Sequence, residues 1–239
     1  MRRVRPPLIA LAALVLLALV AATFPMRLAL EWAGADRAGV TARAVRGSVW
    51  SGELVEARLG ALPLGTVRAS LSPLPLFLGR TELYFARADE RLGALAGRLH
   101  ASNPRGVSDV EGSATLMGGL GAIPADRIGF EGATIRFDPQ GRCAEAAGRI
   151  SLSVAAPIAG LDLSQGLSGP LACVAGRAQA TLASGSGMEK LTLAFDGKGA
   201  YRARLTIDAN RDSAMAAALA ALGFKAGPGG FALTSTGRF

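Results

Sequence analysis

One histidine, His100, is the only imidazole this 239-residue chain has for acid–base work. A serine hydrolase would need it paired with a nucleophile on a sharp turn, and no G-x-S-x-G occurs. His100 therefore reads as a solvated histidine beside a loop. The two cysteines, Cys143 and Cys173, lie thirty positions apart and distant from His100, so the close ligand pairs of a zinc site are missing. Asp208, Asn210 and Asp212 match the opening of a calcium loop. Such a loop then needs a glycine and a bidentate glutamate, where this chain has Ser213 and Leu219. A strand end, a turn and a helix cap account for the run. The glycine-rich stretches Gly118–Gly121 and Gly227–Gly230 lack the lysine and hydroxyl ending of a phosphate-binding loop. No catalytic residue, metal site or cofactor is expected, and the chain reads as a non-enzyme.

Charge excludes another class. Lysine and arginine outnumber the acids 26 to 18, for a net charge of +8. The basic residues alternate with acids and apolar residues and form no block, and aromatics are 5% of the chain. A nucleic-acid footprint wants a basic cluster or interleaved aromatics, so no nucleic acid is expected as a partner.

The elements that position these residues begin with Leu8–Phe24, 17 residues with Thr23 as the one polar member. That is about the shortest run read as a membrane-spanning helix. Arg2, Arg3 and Arg5 precede it and should stay in the cytoplasm. Continued past Pro25 to residue 30, the helix would have Arg27 snorkelling to the headgroups and Trp32 at the interface. A cleaved export signal ending near Val20-Ala21-Ala22 is the rival, but its apolar core is usually about 7–15 residues. Either reading exports everything after Phe24. The organisation is then a cytoplasmic stub (1–7), a single membrane span (8–24), a connector (25–44) and an exported domain (45–239). In an oxidising compartment a disulfide is the natural state of Cys143 and Cys173; two unpaired small core residues remain the alternative, since geometry decides.

From about Val45 the periodicity becomes two. Thr66–Leu71, Arg149–Val154 and Tyr201–Asp208 alternate apolar with polar without an error, and shorter runs recur at Glu53–Leu59, Thr134–Phe137, Arg177–Leu182 and Lys190–Phe195. Strict alternation marks strands with one buried and one wet face. The expected fold is mainly β: a mostly antiparallel sheet after one N-terminal helix. A short helix near the C-terminus, Ala214–Leu222, would be capped by Asp212 or Ser213 and stopped at Gly223. Ser102–Gly106 and Gly223–Gly230 read as loops. Val45-Arg46-Gly47-Ser48 and Val110-Glu111-Gly112-Ser113 read as one hairpin turn problem solved twice.

One motif stands out. In Gly47-Ser48-Val49-Trp50-Ser51-Gly52, one of two tryptophans sits between two glycines where the strand pattern starts. The glycines permit a turn or a close backbone approach, and Trp50 offers a large anchoring area.

Phe24-Pro25, Leu28–Trp32 and this Gly47–Gly52 motif together resemble the start of the type II secretion system protein N family. The run Leu71–Gly79, with Pro73 and Gly79, is similar to the family's following segment. Leu167–Cys173 with Cys143 upstream, Gly199–Ala203, Ala221–Phe224 and Gly237–Phe239 continue the likeness over nearly the whole chain. At the start of the second strand, Val67 and Arg68 stand where the family often has an aromatic. The resemblance implies a periplasmic domain held at the bacterial inner membrane. It would be a non-enzymatic accessory, partnered by other inner-membrane or periplasmic components of the machine that exports folded proteins across the outer membrane. The alternating sheet is also similar to AsmA-type envelope proteins, which implies lipid handling along a hydrophobic groove. A continuous apolar channel would favour that reading; a closed core would favour the scaffold.

Overall fold

The computed structural model describes residues 6–36, 39–60, 62–89, 91–116, 119–123, 125–154, 166–208 and 213–238. Arg2, Arg3, Arg5, Gly118, Asn210, Asp212 and Phe239 lie outside them, as does the side chain of Ser213. The chain opens with two helices, α1 (Pro6–Ala22) and α2 (Met26–Ala33). The apolar helix does not continue to residue 30. Proline disfavours helical geometry in the residue before it, and Pro25 is itself extended, at φ −66° and ψ 133°. It forms an antiparallel bridge with Ser48 instead. Beyond it, α2 is a separate helix whose Arg27 pairs with Glu31 at 3.0 Å, and whose exposed Trp32 leans on Phe24. Among the described residues no helix is long and apolar enough to cross a membrane. The 17 residues of α1 reach about 25 Å at 1.5 Å each.

The sheet starts earlier than residue 45, with β1 (Val40–Thr41), β2 (Ala44–Ser48), β3 (Ser51–Leu59) and β4 (Leu62–Leu71). A five-residue helix, α3 (Pro73–Phe77), leads to β5 (Glu82–Arg87) and β6 (Leu95–His100). Then come β7 (Arg105–Thr115), β8 (Ala125–Phe137), β9 (Cys143–Val154) and β10 (Leu167–Val174). The chain closes with β11 (Arg177–Ala183), β12 (Glu189–Phe195), β13 (Ala200–Ile207), α4 (Ser213–Ala221), β14 (Lys225–Gly227) and β15 (Gly230–Arg238). Among the described residues these fifteen strands form one antiparallel sheet, nearly a pure meander. Its path runs β1, β3, β4 and on in sequence to β13, then β15 and β14, while β2 pairs with β3.

Alternation fixes which face is dry. Val67 and Ala69 are buried in β4, Ile150 and Leu152 in β9, and Ala203, Leu205 and Ile207 in β13, while Arg68, Arg149, Arg202 and Arg204 point to water. Two expected loops are only partly loops: Arg105 and Gly106 already belong to β7, and Lys225–Gly227 folds back on β15. The two V-x-G-S runs do different work. Gly47 sits beside the β2–β3 turn, whereas Gly112 lies within β7, where the register with β8 shifts at a bulge. Register shifts recur between β3 and β4, β6 and β7, and β8 and β9. Bulges bend strands and add twist, which curls the sheet over its dry face.

The curl brings distant hairpins together. Gly197 N–H, between β12 and β13, donates to the Gly141 carbonyl between β8 and β9 at 3.1 Å, and Phe137 meets Phe195 edge-on with centroids 6.3 Å apart. Leu120 and Ile123, from the β7–β8 connection, and Leu219 of α4 are almost completely buried in the hollow. The segment at Gly121 passes against Ser235 of β15. The hollow of this half is thus filled by side chains. A smaller apolar cluster under α2 holds Met26, Val49, Leu54, Ala57, Val67 and Ala69. Leu64 and Phe85 pack against both clusters, so the core is continuous along the sheet.

Candidate functional site

The chain leaving α1 is fastened to the β2–β3 hairpin, and the Gly47–Gly52 motif makes the fastening. Gly47 has φ +82°, and a Cβ there would stand 2.3 Å from the Ser51 carbonyl oxygen. Only glycine accepts that left-handed turn without strain. The turn presents Val49, whose N–H donates to the Phe24 carbonyl at 2.9 Å. Val49 is buried, and its own carbonyl accepts from Leu71 N–H at 2.8 Å, so the turn bridges the chain leaving α1 and the end of β4. Trp50 is half-buried against the smaller cluster, and its indole N–H donates to the Ala21 carbonyl at 2.8 Å. The last carbonyls of a helix have no intrahelical partner, so Trp50 caps α1. Opposite, Gly52 leaves room for Met26: a Cβ would lie 2.8 Å from its Cγ.

Pro73 and Gly79 belong to the same end of the molecule. Pro73 opens α3 directly after Leu71 and Ser72, and Gly79 sits in the turn that brings the chain back toward β5. Gly47, Trp50 and Gly52 are thus brought together around the exit of α1, and Pro73 follows two residues after the Leu71 that bonds to their turn. Cys143 and Cys173 are not part of that junction. They form a disulfide between β9 and β10, with Cα atoms 5.6 Å apart.

His100 is not a solvated loop histidine. It ends β6, opposite Glu82 of β5, and its side chain is mostly buried in a polar cluster on the sheet. Its Nε2 lies 2.8 Å from Ser108 Oγ and 3.0 Å from Arg136 Nη2, and its Nδ1 is 3.9 Å from Glu82. A guanidinium can only donate, so Nε2 accepts and the ring proton sits on Nδ1. Desolvation first, then the Arg136 charge, hold the imidazole below its ordinary value, with Glu82 opposing. The Ser–His–carboxylate order resembles hydrolytic machinery, but Arg136 occupies the lone pair a general base would use. Ser108 is also buried within a strand, where its hydroxyl donates a hydrogen bond to the Asp109 carboxylate at 3.2 Å. The arrangement locks β5–β8 together.

Sequence reasoning missed Arg87. Its guanidinium is buried and donates to the carbonyls of Leu64 (3.2 Å), Leu92 (2.9 Å), Gly93 (3.0 Å) and Ser113 (2.5 Å). Burial lowers its pKa, partly opposed by Asp89 nearby. Parity was the available signal: Arg87 falls on the same face of β5 as Leu83 and Phe85. Among the described residues no group of three or more His, Cys, Asp or Glu is placed to hold a metal ion.

The family model described as type II secretion system (T2SS), protein N, matches residues 38–234 of the chain. No curated protein and no solved structure matches it.

Proposed function

We propose a function from one premise: this chain belongs to the type II secretion system protein N family, and a role in type II secretion follows from that membership. The finer reading is a non-enzymatic accessory of the inner membrane. In it, α1 is the anchor and the sheet domain stands in the periplasm, supporting export of folded proteins across the outer membrane.

The observation that carries the anchor is the surface of α1. Its apolar side chains from Ile9 to Val20 are exposed on every side, and none joins either core cluster. A helix apolar all round belongs in a core or in lipid, and the sheet offers it no core. Its reach of about 25 Å is short of a hydrocarbon layer of roughly 30 Å. Local thinning closes such a gap at fractions of a kcal/mol per Å. The Trp50 cap and the Val49–Phe24 rung then hold the domain close to the membrane.

The scaffold reading draws support from the filled hollow. Lipid handling needs an open apolar groove, and Leu120, Ile123, Leu219 and Phe224 occupy that space over β6–β15. A scaffold also needs a place for partners. Beyond β14, residues 233–238 of β15 have no strand on their outer side among the described residues. Unpaired strand edges favour β-addition, and exposed Arg202, Arg204 and Arg238 beside this edge suit an acidic segment.

Deleting the gene tests the role. Secreted proteins should accumulate folded and intact in the periplasm, and the wild-type chain should restore export. A photo-crosslinking amino acid in place of exposed Thr236 should capture another secretion component. Normal export alongside altered outer-membrane lipid composition would instead support lipid handling.

A further inference from the structure

We infer that the tip formed by Leu74–Leu78 is a second membrane contact, dipping into the boundary between headgroups and acyl chains of the bilayer that α1 enters. This rests on the anchor reading of α1. Leu74, Phe77 and Leu78 are 74%, 89% and 72% exposed, and Leu76 is exposed beside them. None of them packs against either core cluster. Clustered exposed apolar side chains on a protrusion mark an interaction site.

Position identifies the occupant. Val49 hydrogen-bonds Phe24 on one side and Leu71 on the other, so the exit of α1 and the root of α3 are two strand spacings apart, about 10 Å. The β2–β3 turn and the β4–β5 connection also lie at the same end of the meander, because alternate connections of an antiparallel sheet share an end. A tip rooted this near a membrane helix meets the bilayer surface. Its backbone suits that environment. Pro73 and Pro75 have no N–H to satisfy, and the N–H groups of Leu78, Gly79 and Arg80 donate to carbonyls within the tip. Residues 71–81 include no acid, and exposed Arg80 stands at the base, where it would meet anionic headgroups.

The test uses the full chain reconstituted in vesicles of phosphatidylethanolamine and phosphatidylglycerol. An environment-sensitive fluorophore is attached to one introduced cysteine at a time; the native pair is bonded and stays unlabelled. Phe77→Cys probes the tip, Leu16→Cys the middle of α1, and Gly185→Cys the exposed β11–β12 turn at the other end of the strands. At Phe77 and Leu16 the emission should shift to the blue and be quenched by spin-labelled lipid, while Gly185 stays water-like. Adding Leu74→Glu and Leu78→Glu should abolish quenching at Phe77 and leave Leu16 unchanged. An unquenched Phe77 label beside a quenched Leu16 label overturns the tip contact and leaves the anchor standing. A blue shift at Phe77 without lipid quenching also overturns it, since a second copy of the chain would then cover the tip. An unquenched Leu16 label removes the anchor and the tip contact with it.

Discussion

Met26 stands where a side chain at residue 52 would be, so Gly52 is a packing decision as much as a conformational one. Gly52→Ala should lower stability by about 1–3 kcal/mol, the usual range for overpacking a filled site; denaturant titration in detergent reads it. Trp50 separates two contributions. Trp50→Phe keeps most of the ring but loses the bond to Ala21, which typically contributes about 1 kcal/mol. Trp50→Ala also loses the half-buried ring, for a total on the order of 2–3 kcal/mol, below the range for full burial. Equal effects of the two changes would mean that the ring packing contributes nothing. His100 gives a pH dependence. Its folded pKa is lowered, so the unfolded chain binds the extra proton first. Stability from this site is present above the unfolded value of about 6.5 and is lost as pH falls through the lowered folded value. The unfolding midpoint should therefore decline below about pH 6.5, and His100→Gln should flatten that part of the curve.

Between elements, the disulfide is the strongest local constraint. Cys143 and Cys173 join β9 to β10 across a sequence separation of 30, and Cys143 N–H also donates to Gly176 in the β10–β11 turn. Closing a loop of that size restricts the unfolded chain and stabilises the fold by about 3–4 kcal/mol on the chain-entropy account. The double change Cys143→Ala and Cys173→Ala should lower stability by roughly that amount while leaving the far-UV spectrum in place. A loss well under about 1 kcal/mol would mean that strand pairing alone orders the unfolded chain here. The flanking register explains the tolerance: β9 and β10 pair from Leu152 opposite Leu167 to Arg149 opposite Pro170, independently of the sulfurs.

At the scale of the whole molecule, the strands that alternate without error were legible in the sequence, because one wet face and one dry face repeat every two residues. Thr66–Leu71 and Tyr201–Ile207 are examples. Less legible were β6 and β10, where Gly97 and Gly169 face the strand beside them and carry no side chain to mark a face. The junction was half legible: Gly47, Trp50 and Gly52 stood out, but their partners Ala21 and Met26 are brought in by tertiary contact. Arg87 had parity as its signal, but its partners were hidden, because all four are backbone carbonyls, which leave no mark on composition. It has a molecular consequence. Leu64 lies at the start of β4 between the two apolar clusters, and Arg87 ties it to the β5–β6 turn and to Ser113 of β7. Both tryptophans, Trp32 and Trp50, belong to the N-terminal region, so their fluorescence reports that part while far-UV dichroism reports the sheet as a whole. With a continuous core the two signals should lose structure at the same denaturant concentration, the test of a single cooperative unit. Arg87→Met removes the guanidinium and leaves four carbonyls short of a donor. The cost should be on the order of 3 kcal/mol, because buried unsatisfied acceptors carry their full desolvation penalty. The tryptophan signal should then melt first, ahead of the dichroism. Coincident transitions in the variant would show that Leu64 and Phe85 couple the two halves without it.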